Sequence, residues 1–139
     1  MKIKIKKLQE NAVVPSYAKN GDAGMDLTVV SSEMIDNEHI KYVFGIAIEI
    51  PFGYVGLIFP RSSCYKQRQI LSNCVGVIDS GYRGELSAVM IGNASQFCYN
   101  VGDRAAQILI LPYPQIEFEL TNELSDSERG VSGYGSSGK

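Results

Sequence analysis

The chain has no tryptophan, a single histidine (His39) and three cysteines (Cys64, Cys74 and Cys98). One imidazole, in a polar stretch that reads as a loop, cannot build a zinc cluster or a histidine-based triad. An odd number of cysteines without paired spacing gives no disulfide framework, so all three read as reduced thiols of a cytosolic protein. Long apolar runs are missing as well. Nothing approaches the length of a membrane span, and Met1-Lys2-Ile3-Lys4-Ile5-Lys6-Lys7 alternates where a secretory leader would hold a solid apolar block. The expected location is the cytoplasm, or the host-cell cytoplasm for a viral protein, with no membrane partner. Positive charge is not in excess either. A net charge of −2 argues against direct nucleic-acid binding, which needs a basic footprint. A small phosphorylated ligand needs only a local group of arginines, and five are scattered from Arg61 to Arg129.

What is present is strand periodicity. The 139 residues, 45% of them hydrophobic, suit one domain with a substantial core and exclude disorder. Lys2 to Lys6 and Phe44 to Ile50 alternate with a period of two. Tyr54 to Phe59, Glu85 to Ile91, Ala105 to Leu111 and Gln115 to Leu120 are further strand-like runs, bounded by Pro51, Pro60, Pro112 and glycine-rich turns. One short helix is expected around Ser63 to Gln69. Many short strands at this spacing predict an all-β fold, a jelly-roll-like sandwich or barrel, over residues 1–126.

Near the middle lies Gly76-Val77-Ile78-Asp79-Ser80-Gly81-Tyr82-Arg83-Gly84. An apolar run from Cys74 delivers one carboxylate into a Ser-Gly turn, which predicts a hairpin. An acid at the inner corner of a hairpin is poorly hydrated and rigidly held, as suits a general base. The C-terminus changes character. Arg129 to Gly138 holds four glycines and three serines in ten residues and cannot build a core. Residues 127–139 are either a loose terminal tail or a flap whose backbone N–H groups approach phosphate oxygens. Gly133 to Lys139 matches the first seven positions of a P-loop, but neither the following hydroxyl residue nor a helix is there to hold phosphates, so a P-loop is rejected.

Five islands now stand in order: Ala23-Gly24-Met25-Asp26-Leu27, Pro60-Arg61-Ser62-Ser63, Gly76 to Gly84, Gly102-Asp103-Arg104-Ala105-Ala106-Gln107, and Arg129 to Gly138. Together they resemble the motifs of the trimeric dUTP pyrophosphatases (dUTPases), from about residue 23 to the end. The resemblance implies a jelly-roll-like fold, a homotrimer with active sites shared between subunits, and Mg²⁺-dependent hydrolysis of dUTP to dUMP and pyrophosphate. That reaction limits uracil incorporation into DNA and supplies dUMP for thymidylate synthesis. Carried onto this chain, Asp79 matches the acid that activates the attacking water, and Tyr82 the aromatic that excludes a 2′-hydroxyl. Asn73 and the backbone of Gly76, Val77 and Ile78 match the uracil-reading hairpin. Arg61, Ser62 and Ser63 match the phosphate-binding turn, Gln107 another phosphate contact, and Asp26 an acid near the metal's water shell. In the tail, Tyr134 matches the ring stacked over uracil, while Arg129, Gly135, Ser136 and Ser137 fall among the γ-phosphate contacts.

Three positions depart from the commoner pattern: Ser63 in place of glycine, Tyr134 in place of phenylalanine, and Ser87 where a larger side chain is expected. Each residue also has a bland alternative. Asp79 could be a turn former, Tyr82 a core ring, Arg61 a surface cation, Gln107 a solvent-facing strand residue, and Asp26 the end of a turn. Asp103 and Arg104 read as structural, a turn with a charge pair. Two rival functions remain at this point. The related dCTP deaminase shares an Arg-Ser-Ser turn, but Val89 occupies the place of its catalytic glutamate. A non-enzymatic trimeric binding module would make Asp79 and the tail dispensable.

Overall fold

The computed structural model describes residues 1–92 and 99–133. Among the described residues the chain forms ten strands: β1 (Lys4–Lys7), β2 (Met25–Thr28), β3 (Ser31–Met34), β4 (His39–Val43), β5 (Ile46–Glu49), β6 (Tyr54–Pro60), β7 (Gln69–Leu71), β8 (Gly76–Ile78), β9 (Ser87–Gly92) and β10 (Arg104–Pro112). A 3₁₀ helix, Ser62–Gln67, lies between β6 and β7. Two four-stranded antiparallel sheets, ordered β2-β10-β6-β8 and β3-β4-β9-β7, and the ribbon β1-β5 enclose one core. The all-β class expected from periodicity is the observed one.

Alternation does the positioning. In β4 the buried residues are Ile40 and Tyr42, in β9 Ala88 and Met90, and in β6 Gly56 and Ile58. These inward faces meet Leu27, Phe44, Ile46, Leu86 and Ile108. Tyr42 crosses the core polar end first: its hydroxyl donates to Gln69 Oε1 at 3.1 Å and accepts from Tyr99 N at 3.1 Å. The Tyr99 ring packs edge-on against it at 5.4 Å, and burial pushes the Tyr99 phenol up from its ordinary pKa.

Four expectations need correction. The helix starts and ends earlier than Ser63 to Gln69, because Arg68 turns left-handed (φ 50°) and releases Gln69 into β7. His39 opens strand β4 instead of lying in a loop. Gln115 to Leu120 alternates but forms no strand, since no edge among the described residues pairs with it. The run into Asp79 makes no hairpin: among the described residues β8 pairs only with β6, and the next strand, β9, belongs to the other sheet. The turn after Ile78 therefore carries the chain between sheets.

Candidate active site

Register places the first, second and fourth islands on one outer face. Asp26 lies opposite Gln107, and Gln107 opposite Phe59. Residues two apart share a face, so Gly24, Asp26, Phe59, Arg61, Gln107 and Leu109 all point away from the core. With Ala18, Asp22, Ala23 and Ser62 they line a cleft of about 540 Å³. A Cβ at Gly24 would collide with the Gln107 carboxamide and displace it. Gln107 Nε2 donates to Pro60 O at 3.0 Å, tying β10 to the turn that presents Arg61. Arg61 Nε donates to Asp26 Oδ1 at 2.7 Å and its Nη1 to Arg104 O at 3.3 Å. Arg104 Nη1 donates to Asp26 Oδ2 at 2.9 Å. Arg104 thus pairs with Asp26, 78 residues away, and not with its neighbour Asp103, which instead accepts from Asn100 N. Ser63, like Ser62, lies in the 3₁₀ helix that follows Arg61.

The third island builds a separate, smaller hollow of about 200 Å³ from Val77, Ile78, Asp79, Tyr82, Glu85, Leu86 and Ser87. A tight turn, Tyr82 N to Asp79 O at 3.0 Å, aims Asp79 outward. In the single chain its side chain is exposed, contrary to the poorly hydrated corner expected. Arg83 Nη1 braces this turn through Ser80 O (2.7 Å) and Tyr82 O (2.8 Å). The Tyr82 hydroxyl donates to Glu85 O at 3.2 Å, and its ring lies over Gly84, where a Cβ would strike it. Asn73 sits in the turn between β7 and β8, where Cys74 is left-handed (φ 60°) and Val75 N bonds Asn73 O at 2.6 Å. Gly76 passes close to Ile58, 3.2 Å from where its Cβ would stand. Among the described residues β8 is the last strand of its sheet, and none of them pairs with its outer backbone edge.

The two clusters stand well apart within one chain. Three strand spacings of about 4.8 Å separate β2 from β8, and four residues of about 3.3 Å separate the levels of Phe59 and Val55 along β6. That places Asp26 and Asp79 roughly 19 Å apart, too far to hold one triphosphate between them. In the tail, Arg129 is exposed, its Nε bonded to Ser132 O at 3.3 Å. Tyr134, Gly135, Ser136 and Ser137 lie outside the described residues.

A family model described as dUTPase matches residues 10–138. The chain belongs to the dUTPase family. It is 41% identical to the deoxyuridine 5′-triphosphate nucleotidohydrolase of Nautilia profundicola, over all of both chains. It is 39% identical to that of Clostridioides difficile, with 98% of this chain and 97% of the relative covered. The fold is similar to a Staphylococcus bacteriophage 80alpha dUTPase with dUPNHPP (TM-score 0.85, 26% identity, 99% of each chain covered). The chain is thus a dUTP-hydrolysing enzyme by family.

For this dUTPase, sequence reasoning missed Arg104 as part of the cleft's charge network. Its signal was the pair Ala105-Ala106, both fully buried, which interrupts the alternation of β10. The donor set for a metal is sparse: among the described residues, no group of three or more His, Cys, Asp or Glu side chains is placed to hold one. The cleft's carboxylates are Asp22 and Asp26, the latter with one lone pair left on each oxygen. This set suits only an outer role for Mg²⁺, an ion that retains waters and takes most ligands from substrate phosphates.

Proposed function

We propose that this chain hydrolyses dUTP to dUMP and pyrophosphate through an Asp79-activated water, in a homotrimer whose active sites are completed by neighbouring copies. One observation carries the proposal: the base-bearing hollow and the arginine-bearing cleft are both formed, yet stand roughly 19 Å apart in one chain. A second copy can bring the cleft of one chain against the turn of the next. The unpaired alternating segment Gln115 to Leu120 supports assembly, because Phe118 and Leu120 are 93% and 100% exposed.

The chemistry follows from the residues. The open edge of β8 offers backbone N–H and C=O groups that match uracil's O4 and N3–H, whereas cytosine reverses both. Each mismatch would leave a buried group unpaired, at about 1–3 kcal/mol. Tyr82, clamped by Gly84 and Glu85, lies against the deoxyribose and leaves no room for a 2′-hydroxyl. Asp79 takes the proton of the attacking water, which a positioned base makes faster by about 10²–10⁴-fold. Arg61, Ser62, Ser63 and Gln107 hold the phosphates for in-line attack. Mg²⁺, held near Asp26 through water, would neutralise phosphate charge on binding. Residues 127–139 close over the nucleotide as a flap, with Tyr134 over the base and Arg129, Gly135, Ser136 and Ser137 towards the γ-phosphate. Removal of dUTP in this way limits uracil incorporation into DNA and supplies dUMP for thymidylate synthesis. The deaminase alternative lacks its acid, because Val89 sits in β9 opposite Lys41.

Subunit mixing tests the shared site. Asp79→Asn and Arg61→Ala are each expected to be nearly inactive. Co-refolded at equal amounts, they should regain about a quarter of wild-type activity, since each site then draws its two halves independently from two chain types. No recovery from verified mixed trimers would place both halves in one chain and refute the proposal.

A further inference from the structure

A bulge in β10 aims the second arginine. Along this strand, Arg104 and Gln107 are three residues apart and should face opposite sides. The register against β2 breaks between them: Arg104 pairs with Thr28, while Ala106 pairs with Leu27 and Gln107 with Asp26. Two residues, Ala105 and Ala106, are thereby both buried, and Arg104 is turned onto the face that carries Asp26 and Gln107. Alanine, the smallest residue with a side chain, occupies both buried places.

The outcome is a carboxylate between two guanidiniums, Arg61 on Oδ1 and Arg104 on Oδ2, with the Asp26 side chain 17% exposed. The group carries one net positive charge; Asp26 and Arg61 line the cleft, and Arg104, half exposed, stands beside them on Asp26. Each guanidinium has five N–H donors, and Asp26 takes one from each, which leaves donors for phosphate oxygens.

Resting on the phosphate-site reading of this cleft, we infer that Asp26 is a positioning residue that tethers Arg61 and Arg104 for phosphate binding before any metal arrives, with Arg104 as a further phosphate-site residue. An acid that serves a metal's water shell alone makes the opposite prediction without metal. Neutralising it would then leave affinity for a polyanion unchanged or raise it, because a like charge disappears.

The test is titration of the non-hydrolysable analogue dUpNHpp into the assembled protein in EDTA, followed calorimetrically. The tether predicts that Asp26→Asn weakens metal-free binding by about tenfold despite the loss of a negative charge, and that Arg104→Ala weakens it similarly. It further predicts coupling: in the Asp26→Asn background, Arg104→Ala should cost at most about threefold more. Unaltered melting temperature keeps a folding defect from imitating the result, and Arg104, half exposed, is the safer variant. Unchanged or tighter metal-free binding by Asp26→Asn would overturn the inference, as would fully additive losses. If the wild type failed to bind dUpNHpp even with Mg²⁺, the phosphate-site reading and the tether would fall together.

Discussion

Gly84→Ala is predicted to damage sugar selectivity while sparing the fold. A Cβ at residue 84 would overlap the Tyr82 ring at Cζ and the hydroxyl, and approach Cε2 to 2.9 Å. Ordinary carbon contact begins near about 3.5 Å, so the ring must retreat by about 1 Å. The retreat breaks the 3.2 Å bond from the Tyr82 hydroxyl to Glu85 O, worth about 0.5–1.5 kcal/mol. On the proposed function it would also open the place that the ring denies to a 2′-hydroxyl. Misplacement of about 1 Å costs up to about 10²-fold in rate, so kcat/KM for dUTP should fall by about 10–100-fold. Activity on UTP should fall less, so the dUTP/UTP ratio should drop, by up to about tenfold or more where the dUTP loss is largest. Gly81→Ala, in the same turn, is the control: its Cβ meets nothing within 4 Å and its backbone is not left-handed. Steady-state kinetics on both nucleotides with both variants decide the matter. An unchanged dUTP/UTP ratio in folded Gly84→Ala would refute the clamp on Tyr82.

Three further outcomes are expected. Truncation before Arg129 should abolish turnover while the assembly remains intact by light scattering; retained activity would remove the flap. Phe118→Ser with Leu120→Ser should shift the protein towards monomer in sedimentation, since the two side chains are almost fully exposed in one chain. Asp36 accepts from Glu38 N at 2.8 Å and His39 N at 2.7 Å, and these bonds and the His39 ring hold its carboxyl below the ordinary 3.8. Because the folded value is the depressed one, this contribution is present above 3.8 and fades as pH falls below it. Asp36→Ala should therefore melt earlier than wild type at neutral pH, with the difference closing in acid; a constant difference would contradict the assignment.

Much of the fold was legible because burial on one face leaves a period-two imprint. Tyr54 to Phe59 and Ala105 to Leu111 mark β6 and β10 to within a residue at each end. β3 was not legible, since Ser31-Ser32-Glu33-Met34 is mostly exposed and its pairing comes from β4. The site divides similarly. Residue types announced Asp26, Arg61, Asp79, Tyr82 and Gln107, and the structure groups Asp26, Arg61 and Gln107 in one cleft and Asp79 with Tyr82 in another hollow. That division depends on β2 and β8 forming opposite ends of one sheet, which no local pattern encodes. Arg104 was misread as the partner of Asp103 because adjacency suggests a pair, whereas a bulge decides which face a side chain reaches.

The most direct test of the account is nucleotide turnover with Mg²⁺, offering dUTP, dCTP, dTTP and UTP separately and following pyrophosphate and ammonia. The account predicts pyrophosphate from dUTP alone, reduced by about 10²–10⁴-fold in Asp79→Asn. Ammonia from dCTP, or undiminished pyrophosphate release by Asp79→Asn, would contradict it.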